Sequence, residues 1–496
     1  MSAWLPLLVI SSSLLPGLII FFLKEEQTRL RIFLNIAGAV AKLALVGLMV
    51  WGVYHGQTYE ARLPLLPGLE LALQADALAL LFIVLSSVLW LVTTVYAIGY
   101  LENSPYRSRF FGFFSLCVTA TVGVALSDNL LTFLLFYELL TLSTYPLIVH
   151  RGTEVARRAA KVYLVYTMVG GALLLLGIVW LYTLAGTLSF QPLGFLSGID
   201  EQHSSALTVI FVLLIAGFGV KAAIIPLHGW LPKAMVAPAP VSALLHAVAV
   251  VKAGAFGIVR VVHEVYGVEF ADSLGLLTPL AMLAGATILY GSLRALYQDD
   301  LKRRLAYSTI SQVSYITLGT AIAGPIAAIG GIMHLVHQGL MKITLFFCAG
   351  NLAETLGIHK ISEMNGVARR MPWTMAAFTL GAFGMIGVPP LAGFISKWYL
   401  GVGALEVGQY WVIWILVGSS VLNAAYFLPI LHAAWFKPPP KNWPEEHKFG
   451  VKETAWALLL PPVITALLSL TVGLLANAPF SPLQWAVFIA SLEFMP

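Results

Sequence analysis

Four ionisable residues interrupt runs that are otherwise apolar: Glu138, Lys221, Lys252 and Lys397. An ionised side chain deep in hydrocarbon costs about 2.5–3.5 kcal/mol even on a lenient insertion scale, so each marks a candidate functional position. A lone carboxylate in such a place takes up a proton; beside a lysine it stays charged and holds the lysine's proton. Separating Glu138 from Lys221 therefore releases a proton, which makes the two a candidate gate pair. The plainer alternative is a static ion pair that fixes helix orientation. Thr141 and Tyr145 share the helix face of Glu138.

Further polar residues fall between these four. His246 precedes Lys252 by about two turns, and a neutral imidazole accepts on one nitrogen while donating on the other, as a relay requires. Ser308, Ser311, Gln312 and Tyr315 repeat on one helix face, as do His334, His337, Gln338, Met341 and Lys342. Such groups can hold a row of waters, or simply bond helix to helix. His334 and His337 alone make at most half a metal site, and no third ligand has useful spacing, so no metal is expected. Lys397 ends the row, either delivering a proton or snorkelling at a helix end. Arg260 is near a helix end and is expected to snorkel. Lys42 has no role in this reading and faces either a neighbouring subunit or a water pocket.

The elements that carry these residues must be membrane helices. The chain has 496 residues, 59% hydrophobic and 10% charged, against roughly 25% charged in soluble domains. Runs of about 20 apolar residues recur throughout, each enough to cross the hydrocarbon core. Strand-like alternation is not evident, so the predicted class is an all-α polytopic membrane protein. About 14 spans are predicted, at 3–23, 31–54, 77–100, 110–126, 130–149, 161–185, 206–224, 241–263, 274–296, 304–323, 325–351, 372–400, 409–436 and 454–476. The tail after 478 is too short and interrupted for a further span. The N-terminus lacks the features of a cleaved signal peptide, so Trp4–Leu23 is expected to remain as the first span. Cys117 and Cys348 fall in apolar runs and read as reduced core residues.

Loop charge is one-sided. Lys24, Arg29, Arg31, Arg107, Arg109, Arg151, Arg157, Arg158, Lys161, Lys233, Arg294, Lys302, Arg303, Arg304, Lys360, Arg369, Arg370, Lys437, Lys441, Lys448 and Lys452 fall on one set of loops; the opposite set holds Arg62. The positive-inside rule makes the rich side cytoplasmic and places both termini outside. The net charge of +5 then reflects loops beside anionic lipid, with no nucleic-acid partner needed. Two segments share the pattern Pro-Leu-x-Gly-aromatic-x-x-Lys, Pro226–Lys233 and Pro390–Lys397. They lie an odd number of spans apart and so in opposite topology. Proline opens the helix ladder and frees carbonyls, and paired breaks of this kind point to a transporter site; packing kinks are the plainer reading. The breaks are expected at Pro226, Pro389 and Pro390.

Phe136–Glu138, Val220–Pro232, Pro240–His246, Val251–Gly254, Leu301–Ser308 and Gly393–Lys397 together resemble the antiporter-like subunits of Mrp-type Na+/H+ antiporters, respiratory complex I and membrane-bound hydrogenases. Met364–Phe378 and Ser396–Tyr399 resemble the D-type Mrp subunits most, although Lys397 departs from members with glutamate there. The chain stops soon after the last span, so the long lateral helix and extra C-terminal domains of larger relatives are not expected. The resemblance implies two inverted five-helix repeats, with organisation 1–108, 109–263, 274–436 and 437–496, and broken helices seven and twelve. It also implies a proton path through Glu138, Lys221, His246, Lys252, His334 and Lys397, with His337 and Lys342 auxiliary. The implied partners are other subunits of a hetero-oligomeric antiporter, protons, Na+ and the bilayer of the plasma membrane. A redox-driven proton pump subunit and a non-transporting scaffold are the alternatives. No nucleotide, redox or cofactor motif is present, so no cofactor is expected.

Overall fold

Lipid offers no partner to backbone N–H and C=O groups, so apolar runs of this length satisfy themselves as helices. The computed structural model describes residues 4–101, 104–198, 203–448 and 453–494. Its elements in order are α1 (Trp4–Phe21), α2 (Thr28–Tyr54), β1 (Glu60–Leu66), β2 (Leu69–Gln74), α3 (Ala77–Tyr100), α4 (Arg107–Leu126), α5 (Leu130–Val149), α6 (Glu154–Ala185), α7 (Ser204–Ala222), α8 (Ala239–Ala247), α9 (Val250–Arg260), α10 (Val268–Ser273), α11 (Leu277–Leu296), α12 (Leu301–Ala321), α13 (Pro325–Leu356), α14 (Pro372–Ile386), α15 (Ala392–Glu406), α16 (Trp411–Phe436), α17 (Trp456–Leu474) and α18 (Pro482–Phe494). Among the described residues, 12 helices are long and apolar enough to cross a membrane. The chain is a multi-pass membrane protein. Each predicted span coincides with a helix or a broken helix; α12 is long but more polar, and α14 with α15 covers 372–400.

Local chemistry sets the boundaries. Asp76 accepts from the Ala79 amide at 2.7 Å, Asn129 from Thr132 at 2.7 Å and Asp300 from Arg303 at 2.8 Å, each satisfying an orphan donor of a first helical turn. Gly186 and Gly357 close α6 and α13 in the left-handed conformation, as a C-terminal cap favours.

Three features depart from the sequence reading. An antiparallel hairpin, β1–β2, joins α2 to α3, so the chain is not wholly helical. Span eight is broken as well, between α8 and α9 at Val248 and Ala249. The tail forms a thirteen-residue helix, α18, that packs on α3 and α13. The two predicted breaks are present: residues 223–232 leave helical geometry after α7, and Gly387–Leu391 separate α14 from α15. Both contain a cis prolyl bond, at Ile225–Pro226 and Pro389–Pro390.

The loops sort onto two faces. On one, Arg31 reaches Ser108, Arg109 reaches the His150 carbonyl, Lys302 the Ala237 carbonyl and Arg370 the Glu453 carbonyl; this is the basic face. On the other, the hairpin's Arg62 meets Asp128, and Trp485 donates to the Ala77 carbonyl. Lys452 and the chain ends 1–3 and 495–496 lie outside the described residues. Leu15, Ile19, Leu48, Val169, Leu175 and Val421 are exposed apolar side chains on α1, α2, α6 and α16, as a lipid-facing surface demands. The centre is different: the spanning windows of α8–α9 and α13 are wholly buried. Those are the helices that carry most of the polar row.

Candidate functional site

The 32-residue α13 is about 48 Å long at 1.5 Å per residue. It packs against α8, α12, α15 and α17. This enclosure places His334, His337 and Lys342 in the interior, each with no exposed surface. Lys221, His246 and Lys252 are equally buried. Glu138 and Lys397 are only partly buried, and they sit at the two flanks. Six of the sequence-predicted residues are thus enclosed, and Glu138 and Lys397 are partly exposed.

At the first flank, Glu138 and Lys221 feel each other's charge but make no ion-pair contact. Lys221 Nζ instead donates to the Tyr137 carbonyl and lies 3.3 Å from the centroid of the Tyr137 ring. The Tyr137 hydroxyl donates to the Gly217 carbonyl at 3.1 Å, tying α5 to α7. Glu138 rests against Gly171 of α6, where a Cβ would come within 2.9 Å of the carboxyl carbon. Glycine there leaves room for the carboxylate. The α7 break exposes the Val220 carbonyl, which accepts from Trp230 Nε1 at 2.7 Å.

The middle is held by carbonyls and hydroxyls. Lys252 Nζ donates to the Leu335 carbonyl at 2.6 Å, joining α9 to α13. Lys342 donates to Ser308 Oγ at 2.8 Å, and the Tyr426 hydroxyl donates to the same oxygen at 2.8 Å. His337 Nδ1 lies 2.8 Å from Ser396 Oγ, while the His334 ring stands 5.2 Å from that of Tyr315. The two histidines therefore diverge, and among the described residues no group of three His, Cys, Asp or Glu is placed for a metal. Both ring nitrogens of His246, the amides of Gln312 and Gln338 and the Tyr315 hydroxyl meet no hydrogen-bond partner among the described residues. Buried polar groups are rarely left unsatisfied, so this stretch suits ordered water, which can bridge such groups.

At the second flank, Lys397 Nζ donates to Ile386 and Met385 carbonyls at 2.7 and 3.2 Å and to Ser420 Oγ at 2.9 Å. Both carbonyls belong to the end of α14, freed by the Pro389–Pro390 break. Asn423 Nδ2 also binds the Met385 carbonyl, at 2.9 Å. Sequence reasoning missed Tyr137, Ser396, Ser420, Asn423 and Tyr426. Tyr137 and Ser396 carried a signal, as the neighbours of Glu138 and Lys397; Ser420, Asn423 and Tyr426 come from a helix whose approach the sequence does not show.

Two predicted outliers are relocated. Lys42 faces neither lipid nor a neighbour: it is fully buried, donates to Ser13 Oγ at 2.6 Å and lies 4.8 Å from the Trp90 ring centroid. Arg260 does not snorkel. It is buried and paired with Asp76 at 2.6 Å and with Glu264, because acidic groups from α3 and from the π-helical turn after α9 converge on it. Exposed Lys233 lies on the short helical turn after the first break, so the motif pairing of Lys233 with Lys397 is positional and not chemical.

One chemistry suits such a row: stepwise proton movement between amines, imidazoles and water. Four ammonium groups beside one carboxylate cannot all stay charged in so dry a place without large cost.

Known proteins share this architecture. The chain is 37% identical over 384 residues to an NADH-quinone oxidoreductase subunit (type N) of Desulforudis audaxviator, covering 75% of this chain and 74% of that one. It is 30% identical over 476 residues to the D-type Na(+)/H(+) antiporter subunit of Bacillus subtilis, covering 95% and 93%. A chain of the Mrp complex from Dietzia sp. superposes with TM-score 0.87 at 24% identity, covering 99% of this chain and 97% of that one. A chain of respiratory complex I from Thermus thermophilus gives 0.81 at 24%, covering 98% and 99%; both likenesses concern the fold. Residues 127–423 match the family described as NADH:quinone oxidoreductase/Mrp antiporter, TM, and the chain belongs to that family.

Proposed function

We propose that this chain is the proton-conducting subunit of a multisubunit monovalent cation (Na+)/H+ antiporter in the plasma membrane. One observation carries the reading: the lysines Lys221, Lys252, Lys342 and Lys397 are bonded to carbonyls and hydroxyls and not to carboxylates. Such amines can lose a proton without abandoning a paired anion. Glu138 and Lys221 act as the gate, Lys252 as the central station and Lys397 as the terminal one. His246 and His334 act as polar relays on the axis, with His337 and Lys342 auxiliary. The basic face is cytoplasmic and both termini lie outside. Two inverted five-helix repeats, 109–263 and 274–436, place their broken helices at the two ends of the row. Glu138 and Lys397, open at opposite flanks, need neighbouring subunits to shield them from lipid, so the chain works within a hetero-oligomer. Similarity to the D-type antiporter subunit along nearly the whole chain supports this choice.

The second reading is a proton-pumping subunit of a redox-driven complex, favoured by the higher identity to the quinone oxidoreductase subunit over a shorter stretch. Purification of the complex with its partners, followed by reconstitution in vesicles, tests both. Antiport requires that a Na+ gradient alone drives internal acidification or alkalinisation. Proton movement that needs an electron donor and acceptor instead selects the pump. A Glu138→Ala or Lys221→Ala complex that keeps full proton-coupled transport removes both readings and leaves a scaffold.

A further inference from the structure

The π-helical turn Val261–Tyr266 that continues α9 carries a polar group outside the main row. Segments of this geometry are frequent at functional sites. Arg260 donates to both oxygens of Glu264 and, at 2.6 Å, to Asp76 at the start of α3. The end of tail helix α18 packs on this turn, with the Phe494 ring 5.6 Å from that of His263, and its Glu493 neighbours Glu264. Glu493 Oε2 has no donor among the described residues although the residue is only 8% exposed, and Arg260 Nε likewise has no partner among them. The next charged groups are Asp128 and Arg62, paired with each other at 2.8 Å, with Glu60 and Glu70 beyond them on the hairpin.

Carboxylates only accept hydrogen bonds. Two neighbouring carboxylates repel unless one carries a proton, as in carboxyl dyads generally. The local count agrees: Asp76, Glu264 and Glu493 face one cation, Arg260, and a buried excess of two negative charges is costly. One proton between Glu264 and Glu493 halves that excess and supplies the missing donor. Position gives the pair a use. Arg260 lies eight residues beyond Lys252 on α9, about 12 Å along the axis, toward the hairpin face.

We propose that Glu264 and Glu493 share a proton and form a release station on the hairpin face for protons leaving Lys252. The release role rests on the function proposed above; the shared proton does not. In each transfer one carboxyl O–H bond breaks as the proton passes to water, and the pair regains a proton from the Lys252 side. The tail helix α18 supplies half of the station, so it completes a site and does more than cover α3.

Infrared difference spectra of the reconstituted complex at neutral pH read the C=O stretch of a neutral carboxyl. The expected result is one such band, lost or shifted in both Glu264→Gln and Glu493→Gln and unchanged when Na+ is replaced by choline. Glu493→Gln is expected to slow proton-coupled transport about a hundredfold or more, as loss of a proton-transfer group does, with Glu493→Asp retaining most of it. A band touched by neither variant, or one that appears only without Na+, overturns the shared proton; the latter makes the group a cation site. A band that behaves as expected with wild-type transport in Glu493→Gln overturns the release role. A wild-type complex that moves no protons defeats the proposed function, while the infrared result still decides the pair.

Discussion

Gly254 offers the sharpest test of the row, because it carries no ionisable group. It lies two residues after Lys252 on α9, where that helix meets the end of α7. A Cβ at this position would stand 2.7 Å from the Phe218 carbonyl oxygen and 2.8 Å from the Lys221 carbonyl carbon, with the Ala222 amide nitrogen closer still. These are backbone atoms of a helix and cannot rotate away. Ordinary contact begins near 3.4 Å, so to clear the Ala222 nitrogen, the nearest of the three, Gly254→Ala must part the helices by about 1.1 Å. Overpacking of this kind costs about 1–3 kcal/mol. The same displacement would stretch any water-bridged hydrogen bond of about 2.8 Å between Lys221 and Lys252 to about 3.9 Å, beyond useful geometry. Misplacement on this scale lowers rates by about tenfold to a hundredfold. Proton flux into vesicles, normalised to assembled complex, reads the effect. Gly401→Ala on α15 is the control, since its Cβ would meet side chains no nearer than 3.6 Å. An assembled Gly254→Ala complex with wild-type flux would refute the claim that protons cross between Lys221 and Lys252.

Lys252→Met keeps the side chain's bulk and removes a buried amine whose bond is to the Leu335 carbonyl. Flux is expected to fall at least about tenfold while the thermal midpoint holds or rises, since apolar replacement of a buried charge is often stabilising; normal flux rejects the central role of Lys252. Ser396→Ala leaves His337 Nδ1 without its partner, a loss of about 1–3 kcal/mol, and Ser396→Thr is expected to restore flux if the hydroxyl positions the ring. Outside the spans, burial pushes the Asp128 carboxyl up to about 6, against the pull of Arg62 and Arg260. The folded state therefore holds this proton more tightly than the unfolded chain, and the associated stability is lost as pH rises from about 4 to about 6. Thermal midpoints of Asp128→Asn against wild type across that window measure it; parallel curves reject it.

What the sequence revealed was whatever breaks an apolar pattern. Glu138, Lys221, Lys252 and Lys397 stand out because hydrocarbon penalises charge, and Pro226 and Pro389–Pro390 because proline cannot continue a helix ladder. The break at Val248–Ala249 had no such mark: neither residue is glycine or proline. The hairpin was hidden because Leu63, Leu65, Leu69, Leu71 and Leu73 read as one more apolar stretch beside spans of the same composition. Partners were the least legible. Ser420, Asn423 and Tyr426 lie on α16, and nothing in a single chain of letters says that they face Lys397 and Ser308.

The choice of partner matters more than the number of charges. Had each lysine met a carboxylate at contact distance, removing one proton would strand a buried anion, a change worth about 3–5 kcal/mol. Carbonyl partners leave no anion behind. At Lys397 they are available because the helix is broken: the α14 end offers it two carbonyls, and the start of α15, just past that break, brings Ser396 to His337. Glu138 is the exception, a carboxylate near a lysine but not in contact with it. Its charge can favour the ammonium form of Lys221 without locking it, and its partial exposure lets a neighbouring subunit change that influence. The first station is therefore the one that a neighbouring subunit can reach, through Glu138, whereas Lys252 is enclosed by this chain. This asymmetry predicts that partner loss silences the Glu138 flank first, leaving the bonds of Lys252 and Lys342 as they stand.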